Sequence, residues 1–168
     1  KRKNTMTGRI TEKHLLPGIL LIFFLTACNP GIVYTDSVRM QKETWNFNNI
    51  TSFSPEITDT LSVHDIFITI RTGSDYPYRN LWLFVSTTSP SGKTLIDTLE
   101  YMLADNKGKR YGRGTGDIRE TDLDFRKGVF FPEKGTYIFR IRHGMRTENL
   151  KGIYDIGLRI EKRGVKSK

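Results

Sequence analysis

An alternation of side chains runs through Asp155-Ile156-Gly157-Leu158-Arg159-Ile160-Glu161, near the end of the chain. Successive side chains of a β-strand point to opposite faces, so this period of two predicts a strand. Ile156, Leu158 and Ile160 share one face, which we expect to be buried. The charged side chains of the same stretch lie on the other face, which we expect to meet solvent.

Four further stretches have the composition of strands. Residues 64–71, 94–103 and 136–142 alternate in the same way, whereas residues 81–85 are apolar on both faces. Because five residues are too few for a buried helix, the last stretch predicts a central strand. Turn-forming residues separate these stretches at 73–75, 89–92, 105–108 and 132–135.

This succession of short strands and turns predicts an all-β protein. We expect an antiparallel β-sandwich over residues 42–162, of immunoglobulin-like or jelly-roll type. The pattern predicts only one short helical turn, over 147–151, with Thr147 as its N-cap and Gly152 as its stop. Cys28 is the single cysteine, which excludes an intramolecular disulfide framework and a Cys-based zinc finger.

The beginning of the chain has the three parts of an export signal. Residues 15–27 carry no charge, follow a basic segment and end on small side chains. A membrane-spanning helix needs about 20 apolar residues, and this run stops short of that at Asn29-Pro30-Gly31. We therefore expect residues 1–27 to be a cleaved signal peptide.

The stretch Leu25-Thr26-Ala27-Cys28 resembles the lipobox of bacterial lipoproteins. This resemblance implies cleavage between Ala27 and Cys28 and attachment of diacylglycerol to the Cys28 sulfur, a reaction that needs a thiolate. Two or more acyl chains anchor a protein stably, whereas one does not. Residues 28–41 show no period after the structure-breaking Asn29-Pro30-Gly31, so we expect a flexible lipidated tether there.

The net charge of +9 favours a nucleic-acid ligand at first sight. Residues 1–27 contain five basic side chains and one acidic one, so the chain from Cys28 onward carries +5. Much of the remainder lies in a basic tail over residues 163–168. Because the basic charge is concentrated at the two ends, and an exported domain meets little nucleic acid, we expect no nucleic-acid partner. The expected partner is a lipid bilayer, reached through acylated Cys28.

The sequence contains no arrangement typical of a catalytic or metal site. His64 and His143 are far apart and lack metal-ligand spacing, so we expect no metal and no cofactor. A Gly-x-Ser-x-Gly elbow, the usual frame of a hydrolase, does not occur. Asp122 and Asp124 lie two apart on a predicted strand, and charges that protect a sheet edge explain them better than glycosidase chemistry. We therefore expect a protein that is not an enzyme.

Two loops contain residues suited to contact with a partner. Residues 75–80 place two tyrosines around a proline, and tyrosine offers contact area and a hydrogen bond at low entropic cost. Both a binding surface and a plug over the end of the core fit this pattern. Residues 112–117 lack the P-loop ending and the dinucleotide spacing, which favours a flexible glycine loop with positive φ angles. The candidate partner-binding residues are Asp75, Tyr76, Tyr78, Arg79, Arg113 and Asp117.

A set of stretches spread over residues 25–161 carries a resemblance to a known family. The stretches are 25–28 followed by Val33-Tyr34, 70–71 with 75–84, 97–100 with 103–105, 112–118, and 152–161. Together they resemble the gliding motility lipoprotein GldH family of Bacteroidetes. The resemblance implies an envelope lipoprotein associated with gliding, a process linked to the type IX secretion apparatus. It provides no catalytic residues, and only Cys28 transfers as a defined site.

The expected function is therefore that of a membrane-anchored, non-catalytic structural or assembly component of the gliding machinery, with other envelope motility or secretion proteins as partners. Surface-exported lipoproteins of this phylum resemble one another in having a run of acidic residues directly after the cysteine. No acidic residue occurs in the corresponding stretch here, Asn29-Pro30-Gly31-Ile32-Val33. We therefore expect a position in the outer membrane, facing the periplasm. The alternative is a glycan-binding envelope lipoprotein, with Tyr76, Tyr78 and Trp82 as stacking platforms, although Trp82 is expected in the core.

Overall fold

The computed structural model describes residues 31–164, which form β-strands and a single 3₁₀ turn at Gln41–Glu43. The strands are β1 (Ile32–Arg39), β2 (Thr44–Asn46), β3 (Thr51–Phe53), β4 (Glu56–Ile57), β5 (His64–Thr72), β6 (Asn80–Thr88), β7 (Thr94–Met102), β8 (Arg119–Val129), β9 (Gly135–Thr136), β10 (Ile138–His143), β11 (Asn149–Lys151) and β12 (Ile153–Lys162). Over these residues, no helix is both long and apolar enough to cross a membrane.

The strands form two four-stranded sheets in which every pair is antiparallel. The first sheet has the order β1-β12-β5-β8 and the second has the order β3-β10-β6-β7. Two small ribbons, β2 with β11 and β4 with β9, complete the fold. The prediction of an all-β antiparallel protein is confirmed. The expected sandwich type, either immunoglobulin-like or jelly-roll, stays a prediction.

Both sheets contribute to one hydrophobic core. Ile156, Leu158 and Ile160 are at most 1% exposed, so the face predicted from the alternation is buried. The rings of Phe125 on β8 and Phe139 on β10 meet edge-on, with centroids 6.4 Å apart, and so join the first sheet to the second. Burial of such aromatic and aliphatic side chains is the main source of stability in a domain of this size.

The predicted central strand is β6, which lies between β10 and β7. Its buried face is formed by Leu81, Leu83 and Val85, all fully inaccessible. The expectation that Trp82 belongs to the core is wrong, because its side chain is 37% exposed. Trp82 is on the outer face of the second sheet, and in the part of the chain described no second layer covers it.

The expected tether over residues 28–41 is largely replaced by strand β1. This strand pairs with β12 from Ile32 to Arg39, and its Val33, Tyr34 and Val38 side chains pack against the core. A register shift between Ile32 and Tyr34 breaks the period of two, which is why the strand has no clear alternation in the sequence. Residues 28–30 lie outside the described part of the chain.

The expected helical turn over 147–151 is also wrong. Asn149–Lys151 is the strand β11, in which Leu150 is fully buried and pairs with Trp45 of β2. The Trp45 ring nitrogen donates a 2.8 Å hydrogen bond to the Asn49 carbonyl oxygen and holds this corner together. Contacts with a distant strand therefore override the weak local preference for a helix.

The strands of the first sheet define two ends of the molecule. β1 and β5 begin at one end, where β12 and β8 finish, and we call it the anchor end because Gly31 lies there. Arg163, expected in the basic tail, belongs to the domain at this end: its guanidinium pairs with Asp65 at 2.9 Å, and its N–H donates to the Val63 carbonyl. The other end, the far end, carries the loops 73–79 and 103–118.

Candidate functional site: the loops of the far end

The six candidate binding residues all lie at the far end. The loop 73–79 connects β5 to β6, and the loop 103–118 connects β7 to β8. A hydrogen bond of 2.7 Å from the Arg79 guanidinium to the Asn106 side-chain oxygen joins the two loops. The Arg79 carbonyl also accepts hydrogen bonds from the N–H groups of Leu103 and Ala104. Arg79, a candidate for contact with a partner, therefore holds the two loops together through its side chain and its backbone.

Tyr76 acts as a plug over the end of the core. Its side chain is buried, and its hydroxyl donates a 2.7 Å hydrogen bond to the Asn80 carbonyl oxygen. Burial, with a smaller contribution from Tyr78, raises the pKa of this phenol far above its ordinary value. Gly152, at a φ of +74°, lies so close to the Tyr76 backbone that any Cβ at this position would collide with it. Of the two interpretations left open for the loop, the plug holds for Tyr76.

Tyr78 and Trp82 line a groove on the same end of the molecule. Tyr78 is 40% exposed and meets the Tyr76 ring edge-on at 6.0 Å. We call this cavity of about 520 Å³ the Tyr78–Trp82 groove; its lining residues are Tyr78, Asn80, Trp82, Gly144, Met145 and Arg146. The groove combines two aromatic surfaces, one thioether, one amide and one guanidinium, a mixture common in binding surfaces.

The sequence predicted no binding role for one wall of the groove, which is formed by Gly144, Met145 and Arg146. The Gly144 N–H donates a 2.7 Å hydrogen bond to the Trp82 carbonyl oxygen, and the Met145 sulfur lies 3.3 Å from the Trp82 backbone nitrogen. A Cβ at Gly144 would lie 2.9 Å from the Phe84 ring, so glycine permits this close approach. The available signal was a glycine followed by Met and Arg directly after a predicted strand.

Asp75 and Asp117 come from different loops and act on the same phenol. Partial burial and the negative charges of Glu43, Asp75 and Asp117 raise the pKa of the Tyr154 hydroxyl. The Asp117 carbonyl oxygen also accepts a hydrogen bond from the Arg110 guanidinium. The fold therefore brings two of the candidate residues near the Tyr154 ring at the start of β12, where the basic side chains of Arg39 and Arg110 also lie.

The glycine loop has the backbone geometry expected for it. Gly112, Gly114 and Gly116 have φ angles of +89°, +147° and +65°, which side chains with a Cβ rarely adopt. Arg113 does not extend into solvent alone, since its guanidinium lies 3.4 Å from Glu120 and 3.0 Å from Asp122. Its guanidinium, with a side chain 68% exposed, thus pairs with two carboxylates of β8.

Asp122 is the centre of an ion network on the outer face of the first sheet. Besides Arg113 it binds Arg159 at 3.0 Å, and the Arg159 guanidinium approaches Glu161 at 2.8 Å. Asp124, two residues along the same edge strand, pairs with Lys127 at 2.6 Å. β8 is an edge strand of its sheet, as expected for a strand with such charges.

The two histidines of the described residues are core side chains. His64 and His143 are fully inaccessible, and within residues 31–164 their ring nitrogens make no hydrogen bond. His64 packs against Phe131 at 5.2 Å, and His143 packs against Trp45 at 5.4 Å. Burial lowers the pKa of both imidazoles and so favours their neutral form. Over the same residues, no group of three or more His, Cys, Asp or Glu side chains is placed to hold a metal ion.

Comparison with known proteins identifies the family. The family model described as "GldH lipoprotein" matches residues 32–160, which is the region from the first residue of β1 to β12. The chain belongs to the GldH lipoprotein family. The match therefore coincides with the folded domain and includes β1, a strand that the sequence alone did not predict.

Two relatives and one solved structure extend this comparison. The chain is 34% identical to "Gliding motility lipoprotein GldH homolog" of Christiangramia forsetii, over 86% of this chain and 92% of the relative. It is also 34% identical to "Gliding motility lipoprotein GldH" of Flavobacterium johnsoniae, over 87% and 96%. A structure of the infectious bursal disease virus Gx strain aligns with 78% of this chain and 30% of its own, at 13% identity and a TM-score of 0.32, and this likeness carries no inference.

Ala27 and Cys28, the predicted cleavage and lipidation sites, lie outside the described residues. Lipidation and the position of the cleavage site therefore stay predictions from the sequence.

Proposed function

We propose that this GldH-family protein is a lipoprotein whose folded domain serves as a non-catalytic structural or assembly component of the gliding machinery, linked to type IX secretion. The observation that carries the proposal is the family match over residues 32–160 behind a lipobox at 25–28. Both relatives above are named gliding motility lipoproteins. The anchor is diacylglycerol on Cys28 after cleavage behind Ala27, and the domain faces the periplasm from the outer membrane.

The described surface supports a role in binding and not in catalysis. Its histidines are buried away from solvent, and its arginines at 113 and 159 are bound to carboxylates. One exposed and chemically varied surface is the Tyr78–Trp82 groove, which lies at the far end, away from Gly31. A domain held to a membrane at one end presents its opposite end to other envelope proteins, and the groove is the surface we assign to such a partner.

Replacing the chromosomal gene with a Cys28→Ala variant tests the anchor and the role together. We expect loss of metabolic labelling with radioactive palmitate, release of the protein from the membrane fraction, and loss of colony spreading. Thr26→Ser is the matched control, because it keeps a small residue in the lipobox and should keep all three properties. A Cys28→Ala protein that stays in the membrane and supports spreading contradicts the proposal.

In-cell crosslinking tests the groove. A photo-crosslinking residue at Trp82 should capture an envelope protein of the motility or secretion machinery. The same residue at Ile96, 76% exposed near the other end of β7 and paired with Ser86, is the comparison and should not capture that protein. Recovery of the Trp82 variant free of any envelope partner, in cells that glide, counts against the assignment.

A second candidate function is glycan binding, which the exposure of Trp82 favours. Tyr78 and Trp82 provide ring faces, and Asn80 and Arg146 provide hydrogen-bond donors within the same groove. Buried Tyr76, the third platform expected from the sequence, is not available. A glycan array probed with the intact protein distinguishes the two functions: no bound glycan removes this alternative, and a bound glycan lost in Trp82→Ala supports it.

A further inference from the structure

The anchor end of the domain presents large apolar side chains to solvent. Leu61, on the loop before β5, is 88% exposed, and Phe130, directly after β8, is 59% exposed. Leu95, at the start of β7, is 66% exposed. We call Leu61, Leu95 and Phe130 the apolar rim. Exposed apolar side chains gathered at one end of a domain are typical of an interaction site.

Hydrogen bonds place Leu61 beside the start of the domain. The Leu61 N–H donates 2.9 Å to a carboxylate oxygen of Asp59, and the other oxygen accepts a 2.6 Å hydrogen bond from the Lys162 ammonium. The Lys162 backbone N–H in turn donates 2.7 Å to the Gly31 carbonyl. These hydrogen bonds therefore link the turn that contains Leu61 to Gly31, the residue before β1.

Phe130 is fixed at the same end by its neighbours. Val129 pairs with His64 at the start of β5, and the ring of Phe131 packs against the His64 ring at 5.2 Å. With Phe131 directed into the core, the adjacent Phe130 is directed outward. Leu95 joins them from the second sheet, since Asp97, two residues on, pairs with Arg126 of β8 at 2.6 Å.

Four carboxylates near the apolar rim take part in ion pairs. Asp59, Asp65, Asp97 and Asp124 each contact one basic side chain, the partners being Lys162, Arg163, Arg126 and Lys127. Lys162 holds the pKa of Asp59 well below its ordinary range, so the pair stays ionised at neutral pH. Because these carboxylates are neutralised, they do not set up a repulsion against the anionic phosphates of a lipid surface.

The chain length between the lipid and the domain is short. Cys28 and Gly31 are three residues apart, a distance that an extended chain spans with about 11 Å. A lipid on Cys28 therefore holds the anchor end within about 11 Å of the lipid's attachment point, a distance of roughly one to two headgroup layers. An apolar side chain at that distance gains free energy by entering the boundary between headgroups and acyl chains.

We infer that the apolar rim inserts into the same bilayer leaflet that holds the acyl chains, with Leu61 and Phe130 as the inserted side chains. The inference rests on the proposed lipidation of Cys28. It implies a fixed orientation, in which the Tyr78–Trp82 groove is held at the side of the domain away from the membrane. β1 then acts as a rigid support and not as a flexible tether.

Site-directed fluorescence on the full lipidated protein tests this orientation. Acylation blocks Cys28, so a thiol introduced by Leu61→Cys or Phe130→Cys is the only one free to react with an environment-sensitive NBD probe. Tyr111→Cys is the matched control, since Tyr111 is 45% exposed and bonds to Leu103 at the far end. The proteins are reconstituted into phosphatidylcholine–phosphatidylethanolamine vesicles, with and without a nitroxide on the acyl chains.

We expect the probes at 61 and 130 to emit at shorter wavelength in vesicles and to lose their emission with nitroxide lipid, while the probe at 111 does neither. If acylated, vesicle-bound protein gives the same emission at 61, 130 and 111, the inference is wrong and the proposed anchor stands. If the chain without an introduced cysteine reacts with the thiol probe and does not bind the vesicles, Cys28 is not acylated. In that case both the proposed anchor and the inference are wrong.

Discussion

The backbone N–H of Lys162 donates a 2.7 Å hydrogen bond to the carbonyl oxygen of Gly31. The contact joins the last residue of β12 to the residue before β1, across more than 130 positions of sequence. Gly31, where the folded domain therefore begins, lies three residues after the predicted lipidation site at Cys28. A segment expected to be a tether is therefore part of the sheet, and this has measurable consequences.

Substitutions in β1 distinguish a strand from a tether. Val38 packs against the core, so we expect Val38→Asp to lower the free energy of unfolding by more than about 1 kcal/mol, because a charge is moved into apolar surroundings. Thr35→Asp, on an exposed position of the same strand, should change it by less than about 0.5 kcal/mol. Urea unfolding of both variants measures this. Equal, small effects would show that β1 does not contribute to stability.

Gly152 is required for the plug formed by Tyr76. Gly152 has a φ of +74°, and a Cβ at this position would collide with the Tyr76 backbone nitrogen. We expect Gly152→Ala to destabilise the protein by about 3 kcal/mol, from backbone strain and from displacement of the Tyr76 loop. Gly92→Ala is the control, because its φ is similar at +86° but its surroundings are open, and strain alone predicts about 1 kcal/mol. Thermal unfolding compares the two, and equal losses would argue against a plug.

The ion network around Asp122 should stabilise the first sheet more than the neighbouring ion pair does. The Asp122 side chain is 24% exposed and binds two guanidinium groups, whereas Asp124 is 55% exposed and binds one ammonium. We expect Asp122→Asn to lower stability by about 1–2 kcal/mol and Asp124→Asn by less than about 0.5 kcal/mol. High salt should reduce the difference between the two variants only in part, since the Asp122–Arg159 pair is partly shielded from solvent, whereas the Asp122–Arg113 pair is exposed. Denaturant unfolding at low and high salt checks both statements.

The buried histidines should make stability depend on pH. Burial lowers the pKa of His143 in the folded state below its ordinary value of about 6.5, so as pH falls below 6.5 the unfolded chain binds a proton that the folded protein resists. Stability is therefore complete above this pH and decreases below it, until the folded pKa is reached. Urea midpoints between pH 7.5 and 5.5 should fall for the wild type and fall less for His143→Phe. Parallel curves for the two proteins would contradict the assignment.

Local patterns in the sequence were sufficient for much of the fold. The alternation in 155–161 identified the buried face of β12, and the apolar run 81–85 identified the central strand β6. The glycines at 112, 114 and 116 indicated a loop with positive φ angles, which the structure has. These predictions succeed because a period of two, or a glycine, expresses a preference of the backbone at that position and needs no information about distant residues.

The candidate site was predicted only in part. The loop 75–80 was identified from its tyrosines, but burial divides them, with Tyr76 in the core and Tyr78 at the surface. The opposite wall of the groove, at Met145, lies more than 60 positions away and has no signature of its own. The exposure of Trp82 was missed because an apolar run does not reveal which of its two faces a second layer covers.

The sequence by itself determined that this chain alternates as strands do, that much of its basic charge lies at its ends, and that a stretch resembling a lipobox precedes the domain. Only the tertiary structure decided that Ile32–Arg39 is an edge strand, that Asn149–Lys151 is a strand and not a helical turn, and that Gly31 and the Tyr78–Trp82 groove lie at opposite ends. The physical reason is the separation in sequence over which each property is determined. The period of a strand is set by the backbone of each residue, whereas strand pairing and side-chain exposure depend on contacts between residues far apart in the chain.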